Sequence, residues 1–152
     1  AAASRKRAPG EAPLPPVSRD GIRILVVDDH EAMREGLVSL LGQHKEFRVI
    51  GQAGNGLEAV GMAETYHPDV ILMDISMPEM DGFEATERIL KTDPSIVVIG
   101  LSMYNDALTK QKMAAAGAVA YLSKSEAAAR IVKTIKQLVP SKESLTPDKQ
   151  YS

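Results

Sequence analysis

Acidic, hydroxyl and basic side chains stand directly after short apolar runs at several places in this chain. Asp28 and Asp29 follow the first run, Asp74 the third and Ser102 the fourth, and Lys124 comes just after the fifth. Three carboxylates brought together raise one another's pKa unless a cation lies among them. Oxygen ligands of this kind suit Mg²⁺. The set therefore predicts metal-assisted chemistry at the ends of these runs.

A carboxylate beside such an ion can attack phosphorus, because the metal neutralises charge on the nucleophile and on the phosphoryl oxygens. Asp74 is the candidate nucleophile, since it ends an apolar run and precedes a turn-forming stretch. Lys124 could pair with one phosphoryl oxygen, and Ser102 could donate a hydrogen bond to another. Alone, each residue is weak evidence, because Asp28 and Asp29 could equally cap a following helix.

Continuous apolar runs alternate with helix-like patterns along the chain, and such runs are typical of parallel strands covered on both faces. The pattern predicts a doubly wound α/β domain whose working crevice lies beyond the strand ends. Glycines at 42 and 117 are expected to follow helices, and Asn105 or Asp106 to begin one. The five predicted strands are Ile22–Val27, Phe47–Ala53, Val70–Met73, Ile96–Leu101 and Ala118–Leu122. The predicted apolar helix stripes are Met33, Leu37, Leu40 and Leu41; Phe83, Thr86, Ile89 and Leu90; and Ala128, Ile131, Val132, Ile135, Leu138 and Val139.

Composition supports one folded domain without an electrostatic affinity for nucleic acid or membranes. The chain has 152 residues, 44% of them hydrophobic, with a net charge of −2 and no cysteine. These values predict a cytoplasmic domain with one core, no disulfides and no direct contact with nucleic acid or membrane. Residues 1–20 are proline-rich and are expected to be a disordered linker or tag. We expect the folded domain to span 21–139, with a flexible tail over 140–152.

Four motifs together resemble the receiver domains of two-component response regulators, in order and spacing, over about residues 21 to 139. They are Ile24 to His30, Met73 to Pro78 with Asp81-Gly82, Leu101-Ser102, and Gly117-Ala118 leading to Tyr121 to Lys124. The stretch Asp28 to Leu37 looks most similar to the subgroup often joined to a helix-turn-helix DNA-binding domain. The resemblance implies a flavodoxin-like five-stranded parallel sheet of order 2-1-3-4-5 with helices on both faces.

The resemblance also implies a role for each residue of the acidic site. Asp74 would accept the phosphoryl group, and Asp29 would bind Mg²⁺ directly. Asp28 would act on the metal largely through water, and Ser76 would offer its backbone carbonyl. The donor would be a phosphohistidine on a sensor histidine kinase or a phosphotransfer protein. Such a domain catalyses only its own phosphorylation and dephosphorylation.

A conformational switch is implied in the same way. Ser102 would be the switch hydroxyl, Tyr121 the switch aromatic and Lys124 the cation that binds the phosphoryl group. Phosphorylation would change the surface formed by the fourth helix, the fifth strand and the fifth helix. Ser76 and Tyr104, which flank the site, would influence how fast the phosphoryl group is lost.

Other interpretations of the sequence are a metal-dependent phosphatase with an aspartyl nucleophile and a receiver-like binding module that is not phosphorylated. Such phosphatases place the nucleophile and the acid two residues apart, a spacing this chain lacks. Met103 departs from the small residue usual after the switch hydroxyl and could crowd access to the phosphoryl group. His30 is expected to begin a helix rather than take part in chemistry. The parent protein could be a hybrid sensor kinase, which we slightly favour, or a DNA-binding regulator.

Overall fold

Strands and helices alternate along the whole part of the chain that the computed structural model describes, residues 21–77, 80–103 and 106–139. The strands are β1 (Ile22–Val27), β2 (Phe47–Ala53), β3 (Val70–Asp74), β4 (Val97–Ser102) and β5 (Ala120–Ser123). The helices are α1 (Glu31–Gly42), α2 (Gly56–Tyr66), α3 (Gly82–Thr92), α4 (Ala107–Ala116) and α5 (Lys124–Leu138). Among these helices none is long and apolar enough to cross a bilayer. The predictions for 1–20 and 140–152 lie outside the described residues.

The five strands form one parallel sheet in the order β2-β1-β3-β4-β5, which confirms the predicted fold class. Val27, the last residue of β1, pairs with Met73, and Asp74, the last residue of β3, pairs with Leu101 of β4. The strand order reverses between β1 and β3. In sheets of this kind the crevice beyond the carboxyl ends at that reversal is where ligands bind.

Alternate residues of the strands face opposite layers, and each layer has its own apolar cluster. Helices α1 and α5 cover one face, and helices α2, α3 and α4 cover the other. This burial on both faces is why the strands are continuously apolar in sequence. The first cluster includes Ile24, Val26, Leu37, Leu41, Ile131 and Ile135. The second includes Leu25, Val27, Ala59, Ala85, Ile89 and Met113.

Side-chain caps define where two of the helices near the site begin. The Asp81 carboxylate accepts a hydrogen bond from the Glu84 amide at 2.9 Å, which fixes the start of α3. Asp106 accepts from the Thr109 amide at 3.0 Å and starts α4, as one of the two predicted candidates. The other candidate, Asn105, lies outside the described residues. Such caps satisfy amides that have no partner within the helix.

Strands β4 and β5 begin later than the apolar runs predicted. Strand β4 begins at Val97, one residue after the predicted Ile96, and β5 begins at Ala120, two residues after Ala118. The Ala118 amide donates to the carbonyl of Met113 at 2.9 Å, so this residue closes the end of α4 instead of joining the sheet. An apolar run in the sequence does not predict hydrogen bonds of this type at the end of a helix.

Two predictions about the helices need correction, and one is confirmed. Gly117 follows α4 with a φ of 117°, as predicted for a glycine that ends a helix. Gly42 is instead the last residue of α1, and Gln43 caps it. At the start of α5 the buried alanine is Ala127, whereas Ala128, placed in the predicted apolar stripe, is exposed. The apolar stripe is therefore rotated by one residue at the start of this helix.

Candidate functional site

Three chain segments that are distant in sequence bring their charged residues together at the carboxyl edge of the sheet. Asp28 follows β1, Asp74 ends β3, and Lys124 is the first residue of α5 directly after β5. The Lys124 Nζ lies 2.8 Å from Asp28 Oδ2 and 3.2 Å from Asp74 Oδ1. The side chains of the two aspartates and the lysine are 0%, 3% and 6% exposed. The sheet thus assembles a buried group of two acids and one amine.

The start of α5 holds Lys124 in this place. The Ser123 amide donates to Glu126 Oε1 at 3.1 Å, an arrangement that caps the first turn of the helix. Ser123 itself is the last residue of β5 and pairs with Ser102 of β4. The lysine therefore leaves the sheet edge with its backbone fixed on both sides.

The loop after β1 adds a second acid and a histidine to the cluster. His30 Nδ1 lies 3.1 Å from Asp29 Oδ1 and 3.2 Å from Asp28 Oδ1. The backbone amide of His30 also donates to Asp28 Oδ1 at 2.8 Å, and His30 caps α1. His30 thus begins a helix as predicted, but its ring also faces the acidic pair. Sequence reasoning underestimated that contact, although the Asp-Asp-His run signalled it.

A further contact missed from the sequence comes from α1. The Arg34 guanidinium donates from Nη1 to the Asp28 backbone carbonyl at 2.7 Å and from Nε to Gln52 Oε1 at 3.2 Å. The first of these bonds fixes the backbone from which the Asp28 carboxylate projects. A polar residue one turn into a helix carries no distinctive pattern, so only the structure reveals this role.

Burial and charge crowding perturb ionisation at the site. Burial, together with the negative charge of Asp28, raises the pKa of Asp74 from 3.8 to about 7, and the nearby Lys124 ammonium only partly opposes this. Burial disfavours the charged form of Lys124, but its contacts with Asp28 and Asp74 outweigh that effect and raise the pKa of its ammonium. The Lys124 amine is therefore a permanent cation, whereas the positive charge near Asp74 is too small to keep its carboxylate fully ionised.

The acidic group has the properties of a site for a hard divalent cation. Two carboxylate oxygens, Asp28 Oδ2 and Asp74 Oδ2, are buried and accept no hydrogen bond from the described part of the chain. Asp28 Oδ2 does contact the lysine ammonium at 2.8 Å, but as an ion pair outside hydrogen-bonding angles. One donor atom from each of Asp28, Asp29, His30 and Asp74 lies within 4.8 Å of the others. These residues fit a Mg²⁺ ion, which would add positive charge to the cluster and give the buried Asp74 Oδ2 atom a partner.

A glycine packed under the site limits where Asp74 can sit. The Gly82 amide donates to the Ile75 carbonyl at 2.8 Å, and the Ile75 amide donates to the Leu101 carbonyl at 3.1 Å. A methyl group on Gly82 would collide with the Asp74 carbonyl oxygen and lie 2.8 Å from the Ile75 Cα. In the sequence, Gly82 is recognisable only as part of a motif. Its steric role appears when α3 folds back against the end of β3.

The remaining predicted residues surround this centre at the same edge. Ser102 ends β4 and is buried, directly across the strand pair from Ser123. Ser76 lies on the exposed turn two residues after Asp74. Met103, which was expected to crowd the site, is 69% exposed beside Ser102. Tyr104 lies outside the described residues.

Tyr121 is half-buried on β5 and packs against the second apolar cluster. It pairs in register with Gly100, and a methyl group on that glycine would be 3.5 Å from the tyrosine ring. A cavity of about 90 Å³ borders Tyr121, with Met113 and Ala118 among its lining residues. A methyl group on Gly100 would also lie 2.8 Å from Met113 Cε, so Met113 fills the space beside this glycine, and the adjacent cavity is what leaves space next to the ring.

Comparison with known proteins gives a consistent family assignment. Residues 24–136 match the response regulator receiver domain. The chain is 37% identical over 120 residues to the transcriptional regulatory protein DegU of Brevibacillus brevis, covering 79% of this chain and 51% of that protein. It is 42% identical over 117 residues to the transcriptional regulatory protein LiaR of Bacillus subtilis, covering 76% and 54%. The chain thus spans about half the length of these relatives.

Solved structures of similar proteins share the fold. The response regulator domain of Thermotoga maritima CheB superposes with a TM-score of 0.72 at 34% identity, covering 77% of this chain and 95% of that one. The receiver domain of the putative response regulator NarL from Mycobacterium tuberculosis gives a TM-score of 0.74 at 28% identity, covering 78% and 96%. Sequence motifs, sheet order and these similarities agree, and the chain belongs to the response regulator receiver domain family of two-component signalling.

Proposed function

We propose that this domain accepts a phosphoryl group on Asp74 with the help of Mg²⁺ and Lys124. One observation carries the proposal: the Lys124 ammonium lies between two buried carboxylates, and the Oδ2 atom of Asp74 accepts no hydrogen bond from the described residues. The lone pairs of that oxygen are therefore not taken up by a hydrogen bond within this part of the chain. A structural salt bridge needs only one acid, whereas this amine faces two acids whose negative charges repel each other.

In the proposed reaction an Asp74 carboxylate oxygen forms a bond to phosphorus as the bond to the donor breaks. With a phosphohistidine donor, the nitrogen–phosphorus bond breaks and the imidazole leaves with the electron pair. Lys124 binds one phosphoryl oxygen and Ser102 donates a hydrogen bond to another. Asp29, Asp74 and the Ser76 carbonyl would hold Mg²⁺, with Asp28 acting through water. The ion would reduce the repulsion between the phosphoryl oxygens and the Asp74 carboxylate.

Phosphorylation would then act as a switch through Ser102 and Tyr121. About two negative charges beside Lys124 would attract the Ser102 hydroxyl, and the space it leaves would let Tyr121 turn inward. The cavity beside the Tyr121 ring supports this part of the proposal. A Ser102→Ala variant should still be phosphorylated on Asp74 but should respond less to it. A normal change in the Tyr121 side-chain NMR signals of this variant on phosphorylation would refute the coupling.

The phosphoryl donor would be a sensor histidine kinase or a phosphotransfer protein, as the family assignment implies. For the parent protein, the similarity to two transcriptional regulatory proteins now favours a DNA-binding regulator over the hybrid sensor kinase. In either arrangement this domain would carry the signal and leave output to another part of the protein. Its own catalysis would be confined to its phosphorylation and dephosphorylation.

Intact-protein mass spectrometry after incubation with Mg²⁺ and acetyl phosphate tests the proposal. The parent domain should gain the mass of one phosphoryl group, and Asp74→Asn should gain none. Asp93→Asn is a matched control, because Asp93 lies at the far end of α3 and is paired with His67 and Ser95. It should be modified like the parent. Modification of Asp74→Asn to the parental level would refute the assignment, and steady turnover of a phosphomonoester would instead indicate a phosphatase.

A further inference from the structure

His30 occupies a position in which it can act on the metal site directly. Its ring is 64% exposed, yet Nδ1 points toward two acids, 3.1 Å from Asp29 Oδ1 and 3.2 Å from Asp28 Oδ1. It stands apart from Lys124, which contacts Asp28 through the other carboxylate oxygen. The acidic cluster is therefore flanked by a buried ammonium on one side and by an exposed imidazole on the other.

The spacing of these atoms matches the first coordination shell of a small divalent ion. Metal ions with ligand distances of about 2.1 Å hold adjacent donor atoms about 3 Å apart. The imidazole nitrogen has that separation from both carboxylate oxygens. The Oδ2 atom of Asp74 is buried and has no hydrogen-bond partner among the described residues, which gives independent evidence that the cluster requires a cation.

We propose that His30 supplies a nitrogen ligand to the metal site, so that the domain binds ions that favour nitrogen, such as Ni²⁺, more tightly than carboxylates alone would allow. This inference rests on the proposed function, because it assumes that the ion binds among Asp28, Asp29 and Asp74. Imidazole suits late first-row metals, whereas Mg²⁺ prefers oxygen and keeps its waters. His30 would therefore change metal selectivity with little effect on Mg²⁺ binding.

The alternative is that His30 only hydrogen-bonds to the acids. In that case an entering ion would displace the imidazole, and removing the ring would leave the ratio of affinities unchanged. The preference among metals therefore separates the two roles. The loss of a hydrogen-bonding neighbour would alter the binding of Mg²⁺ and Ni²⁺ to the same extent.

Titration calorimetry of the parent domain and His30→Gln with MgCl₂ and NiCl₂ tests this inference. We expect His30→Gln to weaken Ni²⁺ binding about tenfold while changing Mg²⁺ binding less than threefold, in the range found when groups around a metal are removed. The control is His44→Gln, since His44 follows α1 at the opposite end of that helix and packs on Phe47. It should bind both ions like the parent.

A spectroscopic measurement makes the assignment independent of affinity. Pulsed electron paramagnetic resonance of the Mn²⁺-loaded parent should show modulation from a coordinated ¹⁴N nucleus, and this modulation should vanish in His30→Gln. No nitrogen modulation together with an unchanged nickel-to-magnesium affinity ratio would overturn the role of His30. A failure of the underlying metal site is distinguishable, because Asp29→Asn would then bind both ions as tightly as the parent.

Discussion

Replacing Asp74 with asparagine should stabilise the metal-free domain at alkaline pH. Without a metal, burial and the charge of Asp28 raise the pKa of Asp74 from 3.8 to about 7. Between these pH values the folded protein holds a proton on Asp74 that the unfolded chain has released. The free energy of unfolding must therefore fall as pH rises from about 4 to about 7. Asparagine keeps the shape of the side chain and removes the charge.

The size of the effect follows from the difference between the two pKa values. About 7 in the folded state against 3.8 is a difference of about 3, and each pKa unit corresponds to about 1.4 kcal/mol. The wild type should lose at most about 4 kcal/mol across this window. Roughly two thirds of it lies above pH 5, so the advantage of Asp74→Asn should grow by about 2–3 kcal/mol between pH 5 and pH 8.

Urea denaturation followed by circular dichroism, with a chelator present, measures this difference. Asp93→Asn is a control for which we expect the opposite change in the free energy of unfolding at alkaline pH. Burial opposes ionisation of Asp93, but hydrogen bonds from Ser95 and the contact with His67 outweigh it and lower its pKa. Asp93 therefore stabilises the fold at neutral pH and loses that effect in acid, so its asparagine variant should be less stable at pH 8. An advantage of Asp74→Asn that is equal at pH 5 and pH 8 would refute the reasoning.

Two further substitutions test packing at and near the site. Gly82→Ala should destabilise the domain and weaken metal binding, because its methyl group collides with the Asp74 carbonyl. Gly61→Ala, where a methyl group meets no described residue within 4 Å, should raise the free energy of unfolding by up to about 1 kcal/mol. Equal effects of the two substitutions in urea denaturation would contradict the steric argument. Thr86→Val should stabilise the fold by about 1 kcal/mol in the same assay, because the buried Thr86 hydroxyl has no hydrogen-bond partner among residues 21–77, 80–103 and 106–139. A loss of stability would reveal a partner for it.

The sheet could be predicted from sequence because burial on both faces leaves a direct trace in the chain. The predicted bounds of β1 and β2 match the structure, and β3 differs only by including Asp74 itself. The start of strand β5 was predicted two residues too early, because Ala118 is apolar but its amide donates a hydrogen bond to the end of α4. Apolarity reports burial and does not report which backbone partner an amide finds.

Residue types predicted the membership of the site better than its internal contacts. The set of Asp28, Asp74 and Lys124 could be inferred because strand ends of a parallel sheet meet at one edge. The position of the His30 ring depends on the path of the loop after β1. The packing of Gly82 depends on the path of the turn before α3. Such paths are set by tertiary contacts, so the sequence indicated the residues without indicating their distances.

Charge at the edge of the sheet explains why a cation should be required before phosphoryl transfer. Three carboxylates, from Asp28, Asp29 and Asp74, against the one ammonium of Lys124 leave two negative charges when His30 is neutral. A divalent cation balances these. Converting the Asp74 carboxylate to an acyl phosphate adds about one further negative charge, which is tolerable beside a metal and Lys124. Without the metal the same step would bring three negative charges together in a largely buried place, where they repel strongly. The metal requirement that we propose thus follows from the number of charges that the fold brings to this edge.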